Sequence, residues 1–412
     1  MKILLVNTVI NRGSVGRITA DLYHEIEASG NEALLGIGRE PWDSSFKGRL
    51  IGNKGDFYLH VMKNFVQGQA GFGSDAVTAE FLKWVDEVKP DLIHLQNIHG
   101  FYIQIERLFA YIKKRNIPVV WTLHDCWPFT GHCAFYDYAA CDKWKTGCNN
   151  CIHHAKVYPY ALLKDNSVAS YNRKRKAFCG VQNLTIVTPS QWLKNQLAES
   201  FLKEYPVEVI YNGIDLDVFK PSGDPDIKEK QPYPIVLGVA NVWEHRKGLN
   251  YFKKLARDLP QNCKIHLIGV NKKQIKELKK EFGDRMILTP HTNGQEELAK
   301  AYQEATVFVN ATLEDNFPTT NLEAMACGTP VVTYRTGGSG ESVSDKSGIV
   351  VYRASYDGLL QAVCDVLDKK RIFSQKDCRN QALQYDKHTR YQEYLKLYDK
   401  ILSSANHDKT KI

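Results

Sequence analysis

Apolar and polar positions along the chain alternate between two patterns. Short runs of β-branched and other apolar residues, typical of strands, are separated by stretches with apolar residues at three- and four-residue spacing, typical of helices. In the first half we predict strands at 2–7, 33–38, 91–97, 118–124 and 184–189, with a helix at 103–116 among them. This alternation indicates βαβ units around a parallel sheet, and hence the α/β class.

The pattern is interrupted at residues 224–234, which are charged and proline-containing and have no apolar periodicity. Such a stretch is typical of a connector between domains. Beyond it we predict strands at 235–240, 264–269, 286–289, 306–310 and 330–333, and helices at 247–259, 272–282, 296–304, 320–326 and 358–367. We therefore predict one domain at 1–222 and another at 223–385. A C-terminal helix and tail at 386–412 would pack back toward the first domain, with 403–412 solvated.

Composition indicates a globular protein without a signal peptide or a membrane-spanning helix. A chain of 412 residues, 43% of them apolar, is long enough for two globular domains. The apolar segment at 1–7 is too short for a signal peptide, and no run approaches the roughly 20 apolar residues of a membrane-spanning helix. We therefore expect a cytoplasmic protein. The net charge of +8 favours anionic partners without choosing among phosphates, nucleic acid and membranes.

Residues just after the predicted strands are the first functional candidates, because open parallel sheets bind ligands beyond the carboxyl ends of their strands. After the first strand, Gly13 and Gly16 would let the backbone approach a phosphate at a helix start, although a flexible loop would look the same. His124 ends the strand at 118–124. A histidine there is either a site residue or a packed side chain.

The second domain offers basic and acidic candidates. Arg246 and Lys247, after the strand at 235–240, could bind a diphosphate or lie solvated on a helix. Asp315 and Glu323 follow the strand at 306–310. Thr320 and Glu323 also fit a capping box, in which Glu323 would only satisfy backbone donors.

Taken in order, these segments resemble the retaining glycosyltransferases of family 4, over nearly the whole chain. The matching segments are NRGSVGR at 11–17, HDCWPFTGHC at 124–133, TPSQWLK at 188–194, IYNGIDLDVFKP at 210–221, NVWEHRKG at 241–248, EDNFPTTNLEAMACGT at 314–329 and TGGSGESV at 336–343. The combination of NGIDLDVF with LEAMACGTPVV is highly specific. HDCWPFTGHC, followed by clustered cysteines, is similar to enzymes of bacterial exopolysaccharide and capsule assembly. The family implies the GT-B fold, in which the parallel sheets of two Rossmann-like domains face a central cleft.

The resemblance implies residues that hold the donor sugar and nucleotide. Asp315 would hold sugar hydroxyls and Glu323 the ribose, with Asn316 and Phe317 beside the donor. Aspartate at 315 stands where glutamate is usual, and its shorter reach leaves the identity of the sugar open. His124 matches the family histidine that lies near the donor sugar and the reacting bond.

The resemblance also implies a diphosphate site. Lys247 matches the lysine of the family's basic pair, but Asn241 occupies the arginine position and carries no charge. Arg246 would therefore share the diphosphate with Lys247. Gly13 and Gly16 match the loop that faces the diphosphate from the first domain.

The implied reaction moves a sugar from a nucleotide-diphosphate donor to a glycan or polyprenyl-diphosphate-linked acceptor, with retention of configuration, in bacterial surface polysaccharide synthesis. As the bond breaks, the sugar gains oxocarbenium character and the leaving diphosphate gains charge, which Arg246 and Lys247 would stabilise. No catalytic metal is expected. A lipid-linked acceptor would place the enzyme peripherally on the inner face of the plasma membrane.

Other functions fit parts of the sequence. GT-B architecture also hosts epimerases and phosphorylases, which the NGIDLDVF segment disfavours. The substitutions at Asn241 and Asp315 would suit a non-catalytic sugar-nucleotide-binding protein. A basic nucleic-acid-binding protein would use the same lysines and arginines against phosphates, although we expect no nucleic-acid partner.

The segment at 126–154 forms a cysteine-rich insertion in the first domain. Cys148 and Cys151 form a C-x-x-C pair, and Cys133 and Cys141 supply two more thiols. Four thiolates suit tetrahedral zinc, so we predict a structural zinc site; reduced thiols or a disulfide are the alternatives.

Residues 173–176 form a basic run, RKRK, in the first domain. Such a run could bind an anionic membrane leaflet or be a solvated helix face.

Overall fold

The computed structural model describes residues 1–224 and 226–409, and it divides into two compact units. The first unit comprises Met1–Tyr211 and the segment that begins at His388; the second is Asn212–Lys387. The contacts therefore divide the chain after Tyr211 and Lys387, where the sequence placed the boundaries after 222 and 385. The charged stretch at 224–234 lies inside the second unit.

The first unit is built on a seven-stranded parallel sheet in the order β3-β2-β1-β4-β5-β6-β7. Its strands are β1 (Lys2–Asn7), β2 (Glu32–Ile37), β3 (Gly48–Leu50), β4 (Leu92–Leu95), β5 (Val119–Thr122), β6 (Leu184–Thr188) and β7 (Val207–Val209). Its helices are α1 (Gly13–Ala28), α2 (Lys54–Gln67), α3 (Asp75–Val88), α4 (Ile105–Arg115), α5 (Ser167–Phe178), α6 (Gln191–Leu197) and the last helix, α13 (Lys387–Lys409).

Both faces of this sheet are buried, as is typical of parallel sheets, and successive side chains of a strand point to opposite faces. In β1, Leu4 and Val6 join one apolar cluster, and Ile3 and Leu5 join the other. Helix α13 packs tyrosines into the second cluster, among them Tyr398, whose hydroxyl lies 2.6 Å from Nδ1 of His94 on β4. The predicted tail at 403–412 starts too early, because α13 continues to Lys409; residues 410–412 lie outside the described part of the chain.

The second unit is built on a six-stranded parallel sheet in the order β10-β9-β8-β11-β12-β13. Its strands are β8 (Ile235–Val239), β9 (Lys264–Ile268), β10 (Met286–Thr289), β11 (Val307–Asn310), β12 (Val331–Tyr334) and β13 (Gly348–Val351). Its helices are α7 (Leu249–Asp258), α8 (Lys272–Phe282), α9 (Gln295–Glu304), α10 (Thr319–Ala326), α11 (Tyr356–Leu367) and α12 (Gln375–Leu383).

Each sheet has the doubly wound strand order, in which the chain starts in the middle, runs to one edge and returns to continue toward the other. The α/β class and the two parallel sheets predicted from the sequence are confirmed. In both units the loops that follow the central strands meet at the carboxyl edge of the sheet, at the point where the strand order reverses. Among the described residues, no helix is both long and apolar enough to cross a bilayer.

Candidate functional site

Lys247 and Asp315 form an ion pair at the carboxyl edge of the second unit's sheet. Lys247 ends a short 3-10 helix (His245–Lys247) after β8, and Asp315 follows the neighbouring strand β11. The Nζ atom of Lys247 lies 2.5 Å from Oδ2 of Asp315, and the side chains are 25% and 17% exposed. Lys247, suggested for the diphosphate, and Asp315, suggested for the sugar of the donor, are therefore in direct contact.

The loops after β8 and β11 are also joined by their backbones. The carbonyl of Arg246 accepts from the amide of Leu313 at 2.8 Å, and the Arg246 guanidinium donates to the carbonyl of Glu314 at 2.9 Å. Gly248, at φ +80°, permits this approach, because a Cβ there would lie 2.2 Å from the carbonyl oxygen of Ala311. These backbone contacts thus hold Arg246 and Lys247 in place.

The charges of this pair depend on each other. Burial alone would raise the pKa of Asp315, but the charges of Lys247 and Arg246 outweigh it and hold that pKa below its usual value. Burial lowers the pKa of Lys247, and Asp315 opposes that shift. Each side chain thus favours the ionised form of the other.

Glu323 lies on α10, the helix that follows Asp315 along the chain. Its side chain is buried, and its Oε2 accepts from the hydroxyl of Tyr302 at 3.0 Å. Helix α10 begins at Thr319 with Pro318 at the N-cap, where no side-chain cap hydrogen bond forms. The capping-box interpretation of Thr320 and Glu323 is therefore wrong.

Three other residues were suggested for the donor: Asn316, Phe317 and Asn241. Asn316 and Phe317 are both buried, the ring of Phe317 lying against Tyr385 with 5.6 Å between centroids. The backbone amide of Asn316 donates to Oδ1 of Asp315 at 3.0 Å, so Asn316 helps to orient the carboxylate of Asp315. Asn241 is exposed in the turn after β8.

A buried amide network, which the sequence analysis did not identify, supports this edge. Asn310 at the end of β11 donates to Asn321 on α10 at 2.9 Å, and Asn321 donates to the carbonyl of Ser339 at 2.9 Å. Ser339 belongs to the glycine-rich segment TGGSGESV. The network therefore ties that segment to the start of α10, and only the clustering of Asn and Ser after strands hinted at it.

In the first unit, Gly13 and Gly16 lie at the start of α1, after β1. Gly13 has φ +61° and nothing within 4 Å of where a Cβ would be, whereas a Cβ on Gly16 would lie 3.3 Å from Val9. Gly13 is thus an open backbone position at a helix N-terminus, whereas a side chain at position 16 would lie close to Val9.

His124 follows β5 and contacts Gln96, which follows the adjacent strand β4. The His124 Nε2 and Gln96 Oε1 atoms are 2.9 Å apart. Burial lowers the pKa of His124 to about 4, partly offset by Asp125, so the imidazole is neutral at pH 7. With Nε2–H donating to Gln96, the Nδ1 atom keeps a lone pair.

Among the neighbours of His124, Gln96 and His99 were not identified from the sequence, and Asp125 was noted only as lying at the end of the strand. Asp125 accepts from His99 Nε2 at 2.9 Å and from the amide of Trp127 at 2.9 Å. The Nε2 of Gln96 is buried and has no hydrogen-bond partner among the described residues. A buried donor of this kind usually has a ligand or water as its partner. Position directly after a parallel strand was the signal that could have identified Gln96 and His99.

The structure thus brings Arg246, Lys247 and Asp315 together in the second unit. In the first unit it places His124 in a polar cluster after β5, whereas Gly13 follows β1, which is separated from β5 by β4.

The four cysteines proposed as zinc ligands lie in irregular segments after β5, and all are free thiols. Cys148 Sγ accepts from the amide of Gly131 at 3.1 Å, and burial raises the pKa of Cys148 to about 11. Burial raises the pKa of Cys133 as well, and nearby Cys148, Cys151 and Cys141 add to it. In the part of the chain that the structure describes, no three His, Cys, Asp or Glu side chains form a metal-ligand group. Zinc binding stays a prediction.

The basic run at 173–176 is not one solvated surface. Lys174 is 1% exposed, and its Nζ donates to the carbonyls of Trp127 and Thr130 at 2.7 and 3.1 Å. Burial lowers the pKa of Lys174 to about 7. Arg173 forms a two-pronged pair with Glu106 at 2.8 and 2.6 Å. Only Arg175 and Lys176 of this run are exposed.

Comparison with known families gives two matches that together cover most of the chain. The profile described as Glycosyltransferase Family 4 matches residues 15–218, and the profile described as Glycosyl transferases group 1 matches residues 223–385. Each match corresponds to most of one structural unit.

Two curated relatives are similar over part of their length. A protein of Escherichia coli assigned to colanic acid biosynthesis as a glycosyl transferase is 24% identical over 286 residues, 66% of each chain. The N,N'-diacetylbacillosaminyl-diphospho-undecaprenol alpha-1,3-N-acetylgalactosaminyltransferase of Campylobacter jejuni is 28% identical over 42% of this chain and 46% of its own. The chain thus spans just under two thirds of the first relative and less than half of the second.

Two solved structures share the fold over almost the whole chain. Sucrose-phosphate synthase from Thermosynechococcus elongatus has a TM-score of 0.73 at 16% identity and covers 98% of this chain and 99% of its own. Anabaena HepE in complex with UDP-glucose has a TM-score of 0.65 at 17% identity and covers 98% of this chain and all of its own. These matches show the GT-B fold.

Proposed function

This chain belongs to glycosyltransferase family 4, and from that premise we propose that it is a retaining enzyme using a nucleoside diphosphate sugar. The acceptor would be a glycan or a lipid-linked oligosaccharide of bacterial surface polysaccharide synthesis, met at the cytoplasmic face of the membrane. The relatives named for colanic acid biosynthesis and for a diphospho-undecaprenol acceptor support this class of acceptor. The HepE complex with UDP-glucose supports this class of donor.

The ion pair between Lys247 and Asp315 is the observation that carries the proposal. A lysine ammonium has three donors, so Lys247 can keep Asp315 while it donates to a diphosphate oxygen. Arg246 lies beside it in sequence and is anchored to the Glu314 carbonyl through one guanidinium nitrogen. The positive charge of Arg246 beside Lys247 would attract the second phosphate, which compensates for the uncharged Asn241.

This arrangement suits departure of a diphosphate. Negative charge develops on the leaving oxygen as the glycosidic bond breaks, and fixed cations near that oxygen stabilise the transition state more than the ground state. Asp315 holds Lys247 in place through its Oδ2, while its Oδ1 accepts from the Asn316 amide. The remaining acceptor capacity of this carboxylate can bind hydroxyls of the donor sugar.

His124 has a different role in the proposal. A neutral imidazole whose Nε2–H is donated to Gln96 offers only a lone pair at Nδ1, so it accepts a hydrogen bond and does not supply a proton. We propose that it orients a hydroxyl of the transferred sugar. The buried Gln96 Nε2 can donate to another oxygen of the same ligand.

Nucleotide binding by the purified protein tests the proposal. We expect one of UDP, GDP or ADP to raise the melting temperature, because a ligand at 100 times its Kd stabilises the folded state by about 2.7 kcal/mol. Lys247→Met should weaken that nucleotide roughly 10- to 100-fold, since hydrogen bonds to charged groups contribute about 1.5–3 kcal/mol. Lys253→Met is the matched control, because Lys253 on α7 also pairs with a carboxylate, Glu281, and is similarly exposed, at 27% against 25% for Lys247.

Two further measurements separate the alternatives. Slow hydrolysis of the matching sugar nucleotide, lost in Lys247→Met, distinguishes an enzyme from a non-catalytic binding protein. Equal nucleotide affinity in Lys247→Met and wild type would contradict the proposal. Because Lys247→Met leaves Asp315 unpaired, the double variant Lys247→Met/Asp315→Asn serves as a stability control.

A further inference from the structure

Strand β13 forms an open edge of the second unit's sheet. It is the last strand in the sheet order, and among the described residues it pairs only with β12. The amide of Val331 donates to the carbonyl of Ser347, and the amide of Arg335 donates to the carbonyl of Val351. Backbone groups of successive residues point to opposite sides of a strand. Val350, which precedes Val351, therefore directs its N–H and C=O away from β12, toward the open edge.

A cavity of about 580 Å³ lies beside this edge. Its walls are β13, the glycine-rich segment that follows β12, and the segment that follows α11. A Cβ on Gly340 would lie 3.0 Å from Val350, so the absence of a side chain lets this segment pass close to the strand. Neither Lys247 nor Asp315 lines the cavity. The cavity is therefore a different place from the candidate donor site.

Two arginines give the cavity positive charge. Arg335 and Arg371 both line it and are exposed. Within residues 1–224 and 226–409, no carboxylate forms an ion pair with either of them. Each guanidinium lies over an aromatic ring, Arg335 at 5.7 Å from the centroid of Tyr352 and Arg371 at 5.6 Å from that of Phe373. A guanidinium that stacks on a ring keeps its in-plane N–H donors for an anion.

The carboxylates of the cavity wall do not cancel this charge. Glu341 already has a partner within the chain. Asp345 is followed directly by Lys346, and both are exposed. The unpaired charge along the edge is therefore net positive, which favours an acidic partner.

Large apolar side chains are exposed beside the same edge. Tyr352 directly follows β13 and is 79% exposed, and Ile372 directly follows Arg371 and is 82% exposed. An open strand edge with exposed apolar neighbours is a template on which another chain can pair. The edge thus offers backbone hydrogen bonds, apolar contacts and positive charge together.

We propose that β13 docks an extended acidic segment of a partner protein, which adds a further strand to the sheet. Val350 would supply the backbone donor and acceptor for this strand. Arg335 and Arg371 would bind carboxylates of the segment, and Tyr352 and Ile372 would contact its apolar side chains. A second copy of this chain would bring more arginines to the edge, so repulsion disfavours it. The docking does not depend on sugar transfer.

Selection of binders to the purified full chain from a random dodecapeptide library displayed on phage tests the proposal. We expect enrichment of Asp or Glu at alternating positions, because alternate side chains of an added strand face the same side of the sheet. The selected peptide should bind Arg335→Gln/Arg371→Gln about tenfold more weakly at low salt, and salt should weaken wild-type binding. Val350→Pro should also lose about tenfold, because proline removes the N–H donor while an edge position tolerates it.

Matched variants control for charge and for shape. Lys279→Gln/Lys280→Gln removes the same charge from exposed positions on α8, and Val350→Thr keeps both the N–H group and a branched side chain. Both should bind the selected peptide as tightly as wild type. Nucleotide affinity, measured in parallel, should be unchanged in all of these variants, which keeps this result separate from the proposed transfer.

The proposal is overturned if no peptide is enriched, or if the enriched peptides lack acidic residues. Equal binding by Val350→Pro and wild type, with competition by inorganic pyrophosphate, would show a small-anion site and overturn it too. A concentration-dependent dimer that Val350→Pro abolishes, without peptide binding, would identify a second copy as the occupant instead. If Val350→Pro fails to fold, N-methylation of the selected peptide decides: methylating one alternating set of amides must abolish binding to wild type, and methylating the other set must not.

Discussion

Glu323 allows a prediction that distinguishes two roles of its buried carboxyl group, anchoring Tyr302 and binding the nucleotide. Its Oε2 accepts from Tyr302, which is itself fully buried on α9. If Glu323 only anchors Tyr302, its removal affects stability alone. If its second oxygen binds the ribose, its removal also weakens nucleotide binding, and Tyr302→Phe does not.

The magnitudes follow from the contacts. Glu323→Ala leaves the Tyr302 hydroxyl buried without this partner, which costs about 1–3 kcal/mol of unfolding free energy. It also removes the carboxyl acceptor proposed for the ribose, so we expect nucleotide affinity to fall roughly 10- to 100-fold. Glu323→Gln preserves the shape and one acceptor oxygen, and should lose about tenfold. Tyr302→Phe should lose about 1 kcal/mol of stability and less than about threefold in affinity.

Isothermal calorimetry with the nucleotide selected by melting shift, and urea unfolding of the same preparations, measure both quantities. The reasoning is refuted if Glu323→Ala lowers the unfolding midpoint while the folded protein binds nucleotide as tightly as wild type. It is also refuted if Tyr302→Phe weakens binding as much as Glu323→Ala, because the effect would then come from packing.

Three other predictions concern the first unit. Gln96→Leu should lower donor hydrolysis at least about tenfold, because it removes the partner of His124; activity equal to wild type would remove Gln96 from the site. Burial lowers the pKa of His60 to about 4 from its usual 6.5, so the unfolded chain binds more protons between these values and stability falls as pH decreases through that window. His60→Gln should reduce this loss by roughly 3 kcal/mol between pH 6.5 and pH 4, measured by urea unfolding at each pH; an unchanged pH dependence would contradict it. Elemental analysis should find about one zinc per chain, lost in Cys148→Ser and retained in Cys179→Ser, whereas metal-free protein with unchanged melting would exclude it.

Much of the fold could be predicted from periodicity. The strands at 2–7 and 286–289 and the helix at 272–282 match β1, β10 and α8 in their bounds, because each has an uninterrupted pattern of one period. The strands β3, β7 and β13 were not predicted, since β3 and β7 have only three residues each and β13 begins with a glycine. Pairing with a neighbouring strand makes them strands.

The candidate site was predictable in part. Chemistry-bearing residues after strands pointed to Lys247, Asp315 and His124, because parallel sheets collect their carboxyl ends at one edge. The sequence did not show that Lys247 and Asp315 pair, since 67 residues separate them and the contact depends on β8 and β11 being neighbours. The partner of Glu323 was not predicted for the same reason: the sequence offered a local capping pattern as an alternative role, and distant Tyr302 was not visible.

The sequence by itself determined the α/β class, the two sheets and the residue types available at their edges, because these follow from local periodicity and composition. The tertiary structure alone decided which of those side chains are charged, paired or exposed. In the sequence Lys174 belongs to a basic run, but in the structure it is buried against Trp127. The apolar residues of α2 resemble the core-facing side of a helix, but they are exposed. Burial is set by what packs against a residue from elsewhere in the chain, and local periodicity does not contain that information.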